Sequence, residues 1–148
     1  EMAVESGDSF LQRFSVKNID LFNIGALLKL KFKGIEPSEM KPVFAEGGLL
    51  DIQELRALTG KNMADIPSHL KETSYKTIGG AAVEEFQTAK TTIKIDELMQ
   101  NHMIDFIKEA KSVTYGIAPV VAYFWAKKNN AQIIRMILLS KSPDWIPD

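Results

Sequence analysis

The stretch 14–37 recurs in register at 124–147, 110 positions further on. Six pairs are identical: Phe14/Phe124, Lys17/Lys127, Ile24/Ile134, Leu28/Leu138, Lys31/Lys141 and Pro37/Pro147. The apolar pairs fall at helical spacing, so each copy carries a stripe that needs another surface to cover it. Any two amphipathic helices share part of such a pattern. Read as a duplication, it constrains the chain to repeated helical packing, an architecture that points to scaffolding before catalysis. The expected equivalent helices are Asp20–Lys31 and Asn130–Lys141, burying Ile24 with Leu28 and Ile134 with Leu138.

The rest of the chain reads as helices with local punctuation. Ser6-Gly7-Asp8 is a cap for a helix bearing Phe10, Leu11, Phe14 and Val16, and Asp20 opens the next as its N-cap. Gly34 and Pro37 close that helix. Residues 42–48 form a loop in which Gly47-Gly48 supplies conformations that a Cβ disfavours. Asp51-x-x-Glu54 is a capping box for a short helix ending near Gly60, and a second short helix covers Met63 to Glu72. Gly79-Gly80 is the strongest internal break, which divides the chain into units 1–78 and 79–148.

A helix from Ala81 to about Lys90 follows. The longest periodic segment comes next, with Ile95, Leu98, Met99, Met103, Phe106 and Ile107 on one face. Gly116 and Pro119 start another helix, and Asn129-Asn130 separates it from the last. No stretch alternates as a strand between hairpin turns. The expected class is all-α.

Composition narrows the function. Eighteen basic residues balance 19 acidic ones, which leaves no electrostatic footprint for nucleic acid. There is no cysteine, so disulfides and thiolate metal sites are excluded. The longest apolar run, Ile117 to Ala126, is half a membrane span and contains Pro119, so no bilayer crossing is expected. The opening Glu1-Met2 resembles no signal peptide and reads as the start of an internal or excised fragment.

The candidate chemistry is sparse. His69 and His102 are far apart and neither has a ligand at i+4, so no metal site is expected. Glu84 and Glu85 point about 100° apart on a helix and cannot share one reacting centre. Neither Gly-Gly pair has the Lys-Ser/Thr of a phosphate loop, and no serine stands in a GxSxG setting. Lys31 and Lys141 close the matched helices as cations at C-termini. Asn23 and Arg135 lie on or beside apolar stripes, where a buried polar group needs partners and fixes packing register. The expected structural or partner contacts are therefore Asp20, Asn23, Lys31, Arg135 and Lys141, with no catalytic, cofactor or metal residue.

The motifs resemble the C subunit of the archaeal and bacterial V/A-type rotary ATPases, the counterpart of the d subunit in the eukaryotic V-ATPase. The family's Ile-Asp-Leu-x-Asn-Ile element, ending in Leu-x-x-Lys-x-x-Gly, stands here as Ile19-Asp20-Leu21-Phe22-Asn23-Ile24, then Leu28, Lys31 and Gly34. Gly47-Gly48-Leu49 matches its Gly-Gly-Leu segment, and Leu70, Thr73 and Tyr75 match a Leu-x-x-Thr-x-Tyr. Near the end, Ala126-Lys127, Asn129, Arg135, Ile137-Leu138 and Lys141 match the closing element, whereas Lys128, Asn130 and Ile133 replace Glu, Glu and Asn. The likeness spans nearly the whole chain and corresponds to the C-terminal half of such a protein.

The resemblance implies a non-catalytic rotor subunit, a funnel of repeated helical units without cofactor or direct small-molecule substrate. It would be cytoplasmic and peripheral to the membrane, linking the D and F subunits of the central stalk to the membrane proteolipid ring and passing torque for ion transport. Two rival readings are an α-helical enzyme with a dispersed site drawn from Asp20, Asn23, His102 and Arg135, and a generic helical-repeat binding module. Convergence of those four residues in one deep pocket would favour the enzyme.

Overall fold

The computed structural model describes residues 8–35, 44–88, 92–110 and 116–141. All regular structure among them is helical: α1 (Ser9–Lys33), α2 (Ile52–Thr59), a 3-10 turn (Met63–Asp65), α3 (Ile66–Leu70), α4 (Lys76–Thr88), α5 (Ile93–Glu109) and α6 (Ala118–Ser140). The all-α class expected from the periodicity holds.

Local capping rules set several ends. Asp8 is the N-cap of α1, its side chain accepting from the amides of Phe10 and Leu11, each at 2.9 Å. Gly34 ends that helix in the left-handed region at φ 64°, its amide reaching the carbonyls of Leu30 and Lys31. Asp51 caps α2 through the amides of Gln53 and Glu54. Pro37 and Pro147, the last matched pair of the repeat, lie outside the described residues.

Three expected breaks are instead helix interior. Asp20 sits in the middle of the 25-residue α1, fully buried, and caps nothing. Asn129-Asn130 lies within the 23-residue α6. Gly79-Gly80 lies within α4, so the expected division at 78/79 cuts a helix. A Cβ on Gly79 would stand 3.2 Å from both the Pro67 Cα and a Leu70 methyl. That glycine permits close packing of α4 on α3.

Two compact units are Glu1–Phe106 and Ile107–Asp148. In the first unit the α1 stripe Ile24, Leu27 and Leu28 is buried together with Leu55 and Leu58 of α2, Ile66 and Leu70 of α3, Ile78 and Ala82 of α4, and Ile95 of α5. Phe10 stacks on Phe106 with ring centroids 5.1 Å apart, and Phe32 meets Phe86 edge-on.

The second unit contains α6, where the expected burial fails. Ile134 and Leu138 are 57% and 65% exposed, and Val120 and Phe124 are exposed with them. The corresponding stripe of α1 shares a core with several other helices, whereas the described residues of this unit hold only α6 and the end of α5. No described helix is long and apolar enough to cross a membrane.

Candidate functional site

The polar side chains that the sequence marks out on α1 form a clasp. Asp20 and Asn23 are one helical turn apart and so share a face. Both are completely buried. Asp20 Oδ1 accepts from the backbone amides of Leu49 at 2.9 Å and Leu50 at 3.1 Å. Asn23 Nδ2 donates to the Ala45 carbonyl at 2.9 Å, and its Oδ1 accepts from the Ala45 amide at 2.8 Å. Two side chains thus tie down both halves of the 44–51 loop, satisfying backbone groups that would otherwise need water.

The glycines of that loop serve two different ends. Gly47 adopts φ 97°, where a side chain is strained. A Cβ on Gly48 would collide with the Asp20 carboxylate, so only glycine lets the backbone approach that acceptor.

The second carboxylate oxygen of Asp20 faces inward and accepts from the Tyr75 hydroxyl at 3.0 Å. Burial raises the Tyr75 pKa well above the ordinary phenol value, and the Asp20 charge and hydrogen bond push it further the same way. Tyr75 stays a neutral donor. Its ring lies 5.1 Å from that of His102 and 5.8 Å from the Lys17 ammonium. Lys17 Nζ is 3.0 Å from His102 Nε2. An ammonium can only donate, so this ring nitrogen accepts and the imidazole is neutral. Burial holds the His102 pKa below the ordinary histidine range, Lys17 adds to that shift, and Asp105 opposes it.

Lys31, two turns beyond Asn23 on α1, reaches across to the end of α2. Its Nζ donates to the Thr59 carbonyl at 2.6 Å and to the Lys61 carbonyl. The expected cation at a helix C-terminus is there, and it neutralises a second helix as well as its own. Arg135 and Lys141 are exposed at the end of the described chain. Among the described residues no group of three or more His, Asp or Glu side chains is placed to hold a metal ion.

Sequence reasoning reads Asp20 as a helix cap, Asn23 as a polar residue on an apolar stripe and Lys31 as a helix-end cation, and all three lie along α1. It missed Lys17 and the chemical role of Tyr75, although Tyr75 falls in a matched motif. The clasp gathers donors and acceptors 22, 29, 30 and 55 residues apart in sequence, all spent on holding backbone and packing rings.

The family model for the ATP synthase (C/AC39) subunit matches residues 1–144. The chain belongs to that family. The C subunit of the A-type ATP synthase from Methanosarcina acetivorans is 30% identical over 134 residues, covering 89% of this chain and 36% of the relative. Its namesake from Methanococcoides burtonii is 29% identical over 145 residues, covering 93% of this chain and 39% of the relative. The chain therefore spans less than two fifths of the length of the curated relatives it matches. No solved structure matches it significantly. Within this C/AC39 member, the quoted Ile-Asp-Leu-x-Asn-Ile and Gly-Gly-Leu elements are the two sides of one clasp.

Proposed function

We propose that this C/AC39 chain is part of a non-catalytic rotor subunit of an A/V-type ATP synthase, peripheral to the membrane on the cytoplasmic side. It links the D and F subunits of the central stalk to the membrane proteolipid ring and passes torque between them during ion transport. The observation that carries this reading is the family match over nearly the whole chain, with relatives named as C subunits of A-type ATP synthases.

The physics of the clasp supports it. A torque-bearing adaptor needs loops that do not give under load. Asp20 and Asn23 hold the 44–51 loop with four hydrogen bonds of 2.8 to 3.1 Å from inside the protein. Asp20 and Asn23 are engaged with backbone and His102 faces Lys17, which counts against a dispersed active site drawn from those three residues. Arg135 and Lys141 are offered as partner contacts.

Pull-down of the full-length subunit with the D–F shaft, and separately with detergent-solubilised ring, tests the reading. Retention of both is expected, together with silent calorimetry against ATP. Failure to retain either partner would remove the rotor assignment. A micromolar heat of ATP binding, lost on changing one residue of this chain, would restore the enzyme.

A further inference from the structure

Lys17 lies in an aromatic cradle between α1 and α5. Its ammonium is 5.8 Å from the centre of the Tyr75 ring and 5.4 Å from that of Phe106. A cation is drawn to the faces of both rings. The same ammonium donates to His102 Nε2 at 3.0 Å, and the His102 ring packs on Tyr75 with centroids 5.1 Å apart. Lysine and histidine thus meet on one phenol ring, and only the lysine is charged.

A proton arriving at His102 Nε2 takes the lone pair that Lys17 uses. Two positive donors then stand 3.0 Å apart, and one of them must leave. The surroundings decide which. Asp105, one turn along from His102 on α5, favours the imidazolium. Tyr75 is anchored through its hydroxyl to buried Asp20, so its ring stays in place. Arg13, one turn before Lys17 on α1, puts a further positive charge 5.4 Å from the Phe106 ring, which disfavours retaining another cation there. Lys17 is half-buried on a flexible four-carbon stem, so its head reaches water by a change of rotamer while α1 remains fixed.

We propose that Lys17 and His102 form a proton-driven exchange of cations on the Tyr75 ring. While His102 is neutral, Lys17 holds the ring. When His102 takes up a proton, the imidazolium becomes the cation against Tyr75 and Lys17 swings out, adding a positive charge to the solvent side of α1. Burial and Lys17 together hold the His102 pKa below 6.5, so the exchange runs on the acid side of that value. The switch needs no partner and stands independently of the rotor reading.

The test follows the full-length subunit by NMR through a pH titration, with isotope label in the lysine ε-carbons and the histidine rings. Ring currents from Tyr75 and Phe106 set the Lys17 signal apart from those of solvated lysines. As pH falls below 6.5, that signal should move to the solvated-lysine position with the same midpoint as the His102 ring. In His102→Gln it should keep its shifted position throughout. Lys17→Met removes the like charge and should raise the His102 midpoint towards the ordinary histidine value. A Lys17 signal that stays put while His102 titrates, or that moves equally in His102→Gln, would overturn the exchange. So would a His102 midpoint unchanged in Lys17→Met, or a His102 that takes up no proton until the protein unfolds. Should a variant fail to fold, the wild-type titration decides the matter by itself.

Discussion

The hydroxyl of Tyr75 donates to Asp20 Oδ2 at 3.0 Å, joining residues 55 apart in sequence within the buried interior of the first unit. This bond closes the clasp from the inner side, while Leu49 and Leu50 close it from the outer side. Tyr75→Phe removes one donor and keeps the ring, so it should cost about 1 kcal/mol. Asp20→Ala strips the acceptor from three donors at once and should cost about 3 kcal/mol. Urea unfolding of the full-length subunit, with midpoints compared at unchanged slope, measures both. Equal effects would mean that the carboxylate contributes only through Tyr75.

Asp20 also shows where sequence reading stops. An aspartate ahead of Leu21, Ile24 and Leu28 has the local form of an N-cap, and nothing in its neighbourhood reveals donors from residues 49, 50 and 75. Asp8 and Asp51 were legible because their donors lie two and three residues away. The all-α class was legible for the same reason, since helical period is a local signal. The burial of Ile24 and Leu28 followed from their stripe. The same stripe in Ile134 and Leu138 is exposed, because a stripe states a need for cover and not whether cover is present.

Gly79 and Gly80 make a second separation of local signal from tertiary cause. Both sit inside α4, but only Gly79 is pressed against Pro67 and Leu70, and a Cβ at Gly80 meets nothing within 4 Å. Gly80→Ala should therefore stabilise by about 0.5–1 kcal/mol through helix propensity and reduced unfolded-state freedom. Gly79→Ala gains the same propensity but must displace backbone, and should destabilise by about 1–3 kcal/mol as overpacking does. Thermal melts of the two single variants should move in opposite directions.

Lys31 links two helices by its charge. Replacing it with methionine keeps the aliphatic stem and removes the donors to the Thr59 and Lys61 carbonyls. The end of α2 then loses a charge-assisted cap, at about 1–2 kcal/mol. Hydrogen exchange should quicken at the amides of Gly60 and Lys61, which bond back to Ala57 and Leu58, and stay unchanged at the far end of α1. Uniform acceleration would indicate global rather than local loosening.

His102 gives the stability a pH dependence whose sign is fixed by geometry. Its Nε2 accepts from Lys17 of α1, its ring lies against that of Tyr75, and Asp105 on its own helix provides the nearby opposing charge. Burial, with Lys17 adding to it, lowers the folded-state pKa below the ordinary value of 6.5 that applies when the chain is unfolded. Below 6.5 the unfolded chain therefore binds more protons at this residue than the folded one, so stability falls as pH falls through that value towards the folded pKa. Above 6.5 both states are neutral and the contribution is flat. His102→Gln keeps an acceptor for Lys17 but cannot titrate. Unfolding midpoints of wild type and His102→Gln should run parallel above neutrality and diverge as pH falls below 6.5, with only the wild type losing the histidine-linked part. Parallel curves throughout that window would mean that His102 takes up its proton in the folded state as readily as in the unfolded one, and that Lys17 moves aside without loss.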